Sequence, residues 1–148
     1  MKILITGGSG FIGSALIRYI LKNFENYHIL NIDKLTYASN DSLNQFDLNS
    51  NYEHKKVDIT ESASLKRIFA DFKPDSVMHL AAESHVDNSI KNPSKFIETN
   101  ITGTFNLLNI SLDYLREVNP NFYRFHHIST DEVYGDLEKN DPQFTEST

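Results

Sequence analysis

Glycines at positions 7, 10 and 13 follow directly on the apolar segment Ile3–Ile5 and constrain this fold more than any other feature. The apolar segment predicts a buried strand, and the residues after Phe11 have helical spacing, with one side formed by Ile12, Leu16, Ile20 and Leu21. Gly7 permits a tight turn, Gly10 lets the backbone approach a ligand, and Gly13 lets helix and strand pack closely. Such a turn places unpaired N–H groups and the positive end of a helix dipole where they favour a pyrophosphate.

The second predicted strand, His28–Asp33, ends on a carboxylate about 20 residues after Gly13. Asp33 can accept hydrogen bonds from both adenosine ribose hydroxyls and would repel a 2′-phosphate, which favours NAD over NADP. The glycine spacing is one residue longer at the front than the usual G-x-G-x-x-G, so an ordinary glycine turn with a solvated Asp33 is the alternative. Lys34 weakens the charge argument because its ammonium group follows the carboxylate directly. We expect an NAD site, because strand, glycines, helix and carboxylate occur in the required order.

The composition indicates a globular protein that binds neither nucleic acid nor membrane. The 148 residues carry a formal net charge of −6, and the Lys and Arg residues are scattered, which argues against a nucleic-acid-binding face. No apolar run is long enough to span a membrane, and a strand occupies the N-terminus, so we expect no signal peptide and a cytoplasmic location. The chain has no cysteine and its six histidines lack zinc-ligand spacing, so we predict neither disulfides nor a metal site.

Strand and helix signals alternate along the chain. A polar loop from Thr36 to Asn51 has a short helix and few apolar anchors, namely Leu43, Phe46 and Leu48. Further strands are predicted at 52–58, 76–81 and 122–129, a helix at 61–72, and a loop after Thr130. This alternation predicts an α/β fold, a Rossmann-like, doubly wound parallel sheet of about five strands in three α/β/α layers.

A long helix is predicted from Ser94 to Val118, after a polar loop that runs from Ala82 to Pro93. Apolar residues recur in it at helical spacing and are interrupted only at Gly103; they are Phe96, Ile97, Ile101, Phe105, Leu108, Leu112 and Leu115. We interpret Phe96, Phe105 and Leu108 as core residues, or as a face that packs against a partner subunit.

In sheets of this kind, ligands bind at the carboxyl ends of the strands. Asp58 can accept a hydrogen bond from an adenine amino group while Ile59 packs near the ring, but Asp58 can equally cap the following helix. Ala81 and Ala82 follow a buried strand and are small enough for a cofactor to lie against their backbone. We therefore expect these residues to face one crevice with the other strand ends, namely Thr6-Gly7, Asp33, Glu83-Ser84 and Ser129 to Glu132.

Thr130, Asp131 and Glu132 follow the last predicted strand. Two adjacent carboxylates in unequal surroundings can act as a general acid and a general base, which is the pair that elimination of water requires. The Thr130 hydroxyl can hydrogen-bond a substrate oxygen. The other interpretation is an ordinary polar turn after a strand.

Five segments, 7–13, 33–37, 79–87, 98–100 and 124–137, resemble the nucleotide-sugar 4,6-dehydratases of the extended short-chain dehydrogenase/reductase family. The string Thr130-Asp-Glu-Val-Tyr-Gly135 is the most specific part of the resemblance, which covers the whole chain, since related sugar epimerases and decarboxylases lack the Asp-Glu pair. The resemblance implies an NAD site formed by Phe11, Ile12, Asp33, Lys34, Leu35, Thr36, Asp58, Ile59, Leu80, Ala81, Ala82, Glu83, Ser84 and Thr99. It also implies that Ser84 and Thr130 contact the sugar nucleotide, with Asp131 as acid and Glu132 as base.

The family reaction implied by this resemblance is redox-neutral. A hydride leaves sugar C4 for NAD, water is lost across C5 and C6, and the hydride returns to C6. The resemblance further implies a homodimer. Asn88 stands where family members usually carry Arg, so any charged contact from that position is in doubt.

The chain departs from the family in lacking the catalytic Tyr-x-x-x-Lys after the fifth strand. Its only such spacing, Tyr52 with Lys56, precedes Asp58 on a predicted strand in the adenosine half, and Tyr134 is followed at that spacing by Glu138. We therefore expect residues 1–148 to be the truncated NAD-binding domain of a longer enzyme, without the last strands and sugar-nucleotide domain, and inactive alone. The alternatives are a non-catalytic dinucleotide-sensing module and a sugar-nucleotide epimerase or decarboxylase of the same superfamily.

Overall fold

The computed structural model describes residues 1–148 and contains one parallel sheet. Its strands are β1 (Lys2–Thr6), β2 (His28–Asp33), β3 (Tyr52–Lys56), β4 (Ser76–His79) and β5 (Arg124–His127). The helices are α1 (Phe11–Asn23), α2 (Ser62–Phe72), α3 (Val86–Lys91), α4 (Pro93–Phe96) and α5 (Thr104–Val118). The π-helical segment Ile97–Gly103 joins α4 to α5, and short 3₁₀ helices form at Asn44–Phe46 and Asp131–Tyr134.

The strand order is β3-β2-β1-β4-β5, so the chain runs outward from β1 in one direction and then in the other. Thr6, the last residue of β1, pairs with Ile32 of β2 and His79 of β4, which aligns the carboxyl ends of the three central strands. The strand order therefore reverses between the neighbouring strands β1 and β4. In doubly wound sheets, ligands bind outside the carboxyl ends of the strands at such a point.

Side chains alternate across the sheet, and each face has its own apolar core. Ile3, Ile5 and Ile29 face α1, which contributes Ile17 and Ile20. The opposite face is covered by α2 and α5, and its core is formed by Leu4, Leu30, Ile32, Val77, Leu65, Ile68, Phe69, Leu107, Ile110 and Tyr114. Burial on both faces explains why the central strands are almost continuously apolar. The prediction of a Rossmann-like, doubly wound parallel sheet in three layers is confirmed.

The buried face of α1 differs from the predicted one. Ile17, which the sequence analysis left out, is fully buried, whereas Ile12 is 64% exposed at the first turn of the helix. The predicted anchor Leu48 is also exposed. Ile12 breaks the apolar pattern of α1 because the first turn of this helix lines a cleft and not the core.

The apolar positions predicted as the core of the long helix lie on its exposed side. Ile97, Ile101, Phe105, Leu108 and Leu112 are exposed, while the sheet side carries Thr99, Gly103, Leu107, Ile110, Ser111 and Tyr114. Small residues on this side allow close approach, since a Cβ on Gly103 would lie 2.5 Å from the side chain of Ile59. Interpreting Phe105 and Leu108 as core residues was therefore wrong, and Phe96 is only partly buried.

Several element boundaries also differ from the sequence-based prediction. Helix α3 forms within the segment predicted as a polar loop, and a 3₁₀ helix follows Thr130 where only a loop was predicted. β4 ends at His79 and β5 spans only four residues, so both are shorter than predicted. None of the helices combines the length and the apolar composition that a membrane crossing requires.

Neighbouring leucines on α5 test this assignment of faces. Leu107→Ala removes a side chain with no exposed surface and should lower the free energy of unfolding by about 2–5 kcal/mol, because a cavity forms between α5 and the sheet. Leu108→Ala removes a side chain that is 48% exposed and should cost less than about 1 kcal/mol. Urea unfolding of dilute protein measures both values, and a larger cost at Leu108 would contradict the structure.

Candidate functional site

A cleft of about 440 Å³ opens at the carboxyl ends of the strands, where the strand order reverses. It brings together residues from the glycine turn, from the ends of four strands, and from the π-helical segment. The predicted cofactor residues that line it are Gly7, Gly10, Phe11, Ile12, Gly13, Asp33, Lys34, Thr36, Ile59, Leu80, Ala81, Ala82, Glu83, Ser84 and Thr99. Thr130 lines it from the segment after β5.

The glycine turn is pressed against the chain that leaves β4. Gly7 has a φ of +72°, and a Cβ built on it would lie 2.6 Å from the backbone N and Cα of Ala81. A Cβ on Gly13 would lie 2.3 Å from the carbonyl oxygen of Gly7. Both positions therefore exclude any larger residue, and the task predicted for Gly13, close packing of helix on turn, agrees with this geometry.

The first turn of α1 leaves backbone donors free beside the cleft. No side chain caps this helix and its first turn has no acidic residue; the N–H of Ser14 donates to the carbonyl oxygen of Gly10 (3.0 Å). The preceding N–H groups are available to an anion. Phe11 is 88% exposed, and Ile12 is also exposed, so two apolar side chains line the cleft instead of the core. These features fit a dinucleotide, whose pyrophosphate needs the donors.

Asp33 joins the glycine turn to the end of β2. Its Oδ2 accepts a hydrogen bond from the N–H of Ser9 (3.0 Å), and its Oδ1 accepts one from the N–H of Leu35 (2.8 Å). Each carboxylate oxygen has a further lone pair for a ribose hydroxyl. The two backbone donors hold the carboxylate in one orientation, as selection of a ribose without a 2′-phosphate requires.

The Lys34 ammonium group is paired across the cleft. Its Nζ lies 3.3 Å from Oε1 of Glu83 and donates to Oγ1 of Thr99 (3.0 Å). The π-helical segment also positions Asn100, whose Oδ1 accepts from the N–H of Glu83 (2.8 Å) and whose Nδ2 donates to the carbonyl oxygen of Glu83 (2.9 Å). Asn100 thus fixes the backbone of the loop after β4, a role the sequence did not reveal because its partner is 17 residues away.

A buried histidine lies beneath the cleft at the end of β4. His79 is 1% exposed; its Nδ1 is 2.6 Å from Oγ1 of Thr6 and its Nε2 is 2.9 Å from Oγ1 of Thr104. The Thr6 hydroxyl also accepts the N–H of Ala81 (3.2 Å). Burial, together with the nearby imidazole of His127, lowers the pKa of His79 to about 4, so the ring is neutral at pH 7.

Four predicted site residues do not line the cleft. Leu35 is exposed, and the Asp58 carboxylate accepts the N–H of Thr60 (2.9 Å). Glu61 is the N-cap residue of α2 and no side chain caps this helix, so the capping alternative for Asp58 is wrong. Asp131 and Glu132 lie in the exposed 3₁₀ helix that follows Thr130. A hydrogen bond from Thr130 holds the pKa of Glu132 below its ordinary value, which favours the ionised carboxylate.

Tyr52 and Lys56 lie on β3, at the edge of the sheet. The Tyr52 side chain is buried and its hydroxyl accepts a hydrogen bond from Asn31 Nδ2 (3.2 Å). Burial raises the pKa of Tyr52, whereas a catalytic tyrosine base needs a lowered one. Neither residue lines the cleft. This Tyr-x-x-x-Lys spacing is therefore part of the fold and not of the site, as predicted.

Sequence reasoning missed several cleft residues. Asn40 donates its side-chain amide to the carbonyl oxygen of Ser9 (2.9 Å) and so ties the polar loop after β2 to the glycine turn. This contact brings Ala38 and Ser39 into the cleft wall, which no local sequence signal marks. Further residues that were not assigned to the site are Ile32, Val57 and Ile128.

Asn88 makes a neutral side-chain hydrogen bond between two segments beside the cleft. Its Nδ2 donates to the hydroxyl of Tyr37 (2.9 Å), which links α3 to the loop after β2.

No group of three or more His, Cys, Asp or Glu side chains is arranged to hold a metal ion. The fold and the cleft together define a dinucleotide-binding α/β domain of the Rossmann type.

Comparison with known proteins narrows this class. The sequence profile of the family described as GDP-mannose 4,6 dehydratase matches residues 4–148, so the chain belongs to this family. The dTDP-glucose 4,6-dehydratase of Haemophilus influenzae is 53% identical over 152 residues, which covers 100% of this chain and 45% of the relative. The Salmonella typhimurium enzyme of the same name is 54% identical over 160 residues, covering 100% of this chain and 44% of the relative.

Solved structures of relatives agree with this assignment. The dTDP-glucose 4,6-dehydratase of Bacillus anthracis, determined in complex with NAD, superimposes with a TM-score of 0.84 at 34% identity. The match covers 100% of this chain and 43% of the Bacillus chain. The chain thus spans less than half the length of the relatives that it matches.

Two glycines with positive φ test the close contact beneath the cleft. Gly7→Ala adds a Cβ that meets the Ala81 backbone, whereas Gly135→Ala, at a φ of +90°, meets nothing within 4 Å. We expect Gly135→Ala to cost about 1 kcal/mol from backbone strain, and Gly7→Ala to cost at least about 2 kcal/mol more. Equal midpoints for the two variants in urea unfolding would show that the Gly7 contact is unimportant.

His79 should make stability depend on pH. The unfolded ring binds a proton below about pH 6.5 and the folded ring only below about pH 4, so stability falls as the pH decreases through this interval. The pKa difference corresponds to about 3 kcal/mol. Urea unfolding of His79→Gln between pH 7 and pH 4 should show a shallower loss than the parent chain, and exposed His28→Gln should match the parent. Identical pH profiles for His79→Gln and the parent would rule out a neutral buried ring.

Proposed function

We propose that this chain is the NAD-binding part of a nucleotide-sugar 4,6-dehydratase that acts on dTDP-glucose. The observation that carries the proposal is the cleft itself, which places the uncapped start of α1, the Asp33 carboxylate and Thr130 around one space. Relatives 53% and 54% identical over the whole chain are dTDP-glucose 4,6-dehydratases. The predicted cofactor and substrate residues are part of this proposal.

The residues present fit NAD. The glycine turn admits a pyrophosphate against the free N–H groups of α1, Asp33 accepts from the ribose, and Ile59 with the backbone of Ala81 offers apolar surface. NAD, when bound, supplies hydride transfer from and back to the sugar. The protein holds the dinucleotide through backbone donors and one fixed carboxylate.

Elimination of water is assigned to the segment that follows β5. Glu132, whose lowered pKa favours the ionised carboxylate, takes the proton from sugar C5 as the general base. Asp131 donates a proton to the hydroxyl that leaves C6, so that one water molecule is lost and the charges balance. Ser84 and Thr130, which both line the cleft, hold the sugar nucleotide.

The exposed face of the helix from α4 to α5 is assigned to a second subunit. Ile97, Ile101, Phe105, Leu108 and Leu112 form a continuous apolar stripe along more than four helical turns. An apolar stripe of this length on a monomer marks an interaction site. Two copies that pack this stripe against itself would form a symmetric homodimer.

The non-catalytic alternative rests on one observation. The chain has no Tyr-x-x-x-Lys beside the cleft, so residues 1–148 alone are proposed to bind NAD without turning over dTDP-glucose. A dinucleotide-sensing module would behave in the same way, and only an assay in the context of a whole enzyme separates the two.

A chimeric enzyme provides that assay. Residues 1–148 replace the matching segment of the Haemophilus influenzae enzyme, and formation of the 4-keto sugar nucleotide from dTDP-glucose is followed. We expect turnover by the chimera and none by the isolated chain, while calorimetry detects NAD binding by both. Asp131→Asn in the chimera should slow elimination by about 100-fold and leave C4 oxidation intact, since only the acid is lost.

Asp136→Asn, which removes the same charge from a nearby exposed position, is the matched control and should leave turnover unchanged. A chimera that binds NAD but forms no 4-keto product would refute the dehydratase assignment. An isolated chain that forms the product would show that the second half of the site is dispensable.

A further inference from the structure

The ion pair in the cleft involves the residue next to the cofactor-selecting carboxylate. Lys34 follows Asp33 directly and lines the same cleft. A lysine at this place would ordinarily attract a 2′-phosphate, because an ammonium group is a strong partner for a phosphate dianion. In this structure the Lys34 ammonium group is instead held by Glu83 at 3.3 Å and by Thr99 at 3.0 Å.

We propose that Glu83 determines dinucleotide specificity by holding Lys34 away from a 2′-phosphate, so that Asp33 alone selects NAD over NADP. The proposal rests on the proposed function, because it concerns the same dinucleotide site. Glu83 acts through Lys34 and is therefore a positioning residue.

The surroundings of Glu83 support a fixed carboxylate. Its side chain is only 10% exposed, and two hydrogen bonds with the Asn100 side chain, one accepted and one donated by Asn100, fix its backbone. Thr99, the other partner of Lys34, comes from the same π-helical segment as Asn100. The Lys34 ammonium group is paired in a partly desolvated site. If it moved to bind a phosphate, the Glu83 carboxylate would remain buried without a partner, which is unfavourable.

The surroundings of Asp33 complete the selection. Its two carboxylate oxygens are held by the N–H groups of Ser9 and Leu35, at 3.0 and 2.8 Å. Asp33 therefore does not pair with Lys34, and its negative charge remains directed at the ribose. Removing the Glu83 charge would leave a cation and an anion side by side at the 2′ position, and the repulsion of a phosphate would be partly cancelled.

The test measures dissociation constants for NAD⁺ and NADP⁺ by calorimetry at low ionic strength, with the whole chain. Glu83→Gln should lower the ratio of the NADP⁺ constant to the NAD⁺ constant by about tenfold, since Lys34 becomes available. Thr99→Val removes the second partner of Lys34 without changing charge and should lower the ratio by about threefold. In a Lys34→Met background, Glu83→Gln should leave the ratio unchanged.

The matched control is Glu53→Gln, which removes the same charge from the exposed pair between Glu53 and Lys55 (3.9 Å) on β3. It should leave the ratio unchanged. The inference is overturned if Glu83→Gln behaves like Glu53→Gln, or if its effect persists without Lys34. If Glu83→Gln does not fold, Thr99→Val tests the same release of Lys34. An unchanged ratio of the NADP⁺ and NAD⁺ constants in Thr99→Val would also overturn the inference. A parent chain that binds neither dinucleotide would instead refute the proposed function.

Discussion

The close contact between Gly7 and the Ala81 backbone is the constraint on which the rest of this site depends. It brings the turn after β1 against the chain leaving β4, at the point where the strand order reverses. The hydroxyl of Thr6, the N–H of Ala81 and the ring of His79 complete their hydrogen bonds across this contact. A larger residue at position 7 would separate the two strand ends and open the floor of the cleft. The shape of the cleft floor thus depends more on the packing of backbone against backbone than on the side chains that line the cleft.

The fold could be predicted from the sequence because the patterns that indicate its strands, helices and glycine turn each lie within a short segment of the chain. Strands of four to six residues, the glycine turn, and Asp33 at the end of β2 are all visible in short windows, and the parallel sheet follows from the alternation of strands with helices. Most of the cleft could be placed for the same reason, since strand ends in a parallel sheet share one edge. Gly7, Asp33 and the segment from Ala81 to Ser84 were predicted in this way, whereas Phe11, Ile12 and Leu80 were implied only by the family resemblance.

The remaining features depend on contacts between distant segments. The helix from α4 to α5 has apolar residues on two sides, and periodicity alone cannot tell which side meets the sheet. The sheet side was decided by Gly103 against Ile59, a contact between residues 44 positions apart that no sequence window contains. Asn40, Asn100 and the partners of Lys34 were missed for the same reason. Asp58 illustrates the converse, because two local interpretations were open and the structure excludes only one of them: its carboxylate accepts the N–H of Thr60 without capping α2.

The π-helical segment Ile97–Gly103 lies in the middle of one continuous helix, between α4 and α5. It winds more residues into each turn than the α-helical parts on either side, so it sets a fixed rotational offset between α4 and α5. Deleting one residue here would not merely shorten the helix; it would rotate everything before the deletion by about 100° relative to the sheet. Thr99 and Asn100 would then turn away from the loop after β4. Homologous chains with altered length at this point are expected to compensate within the loop that Asn100 holds.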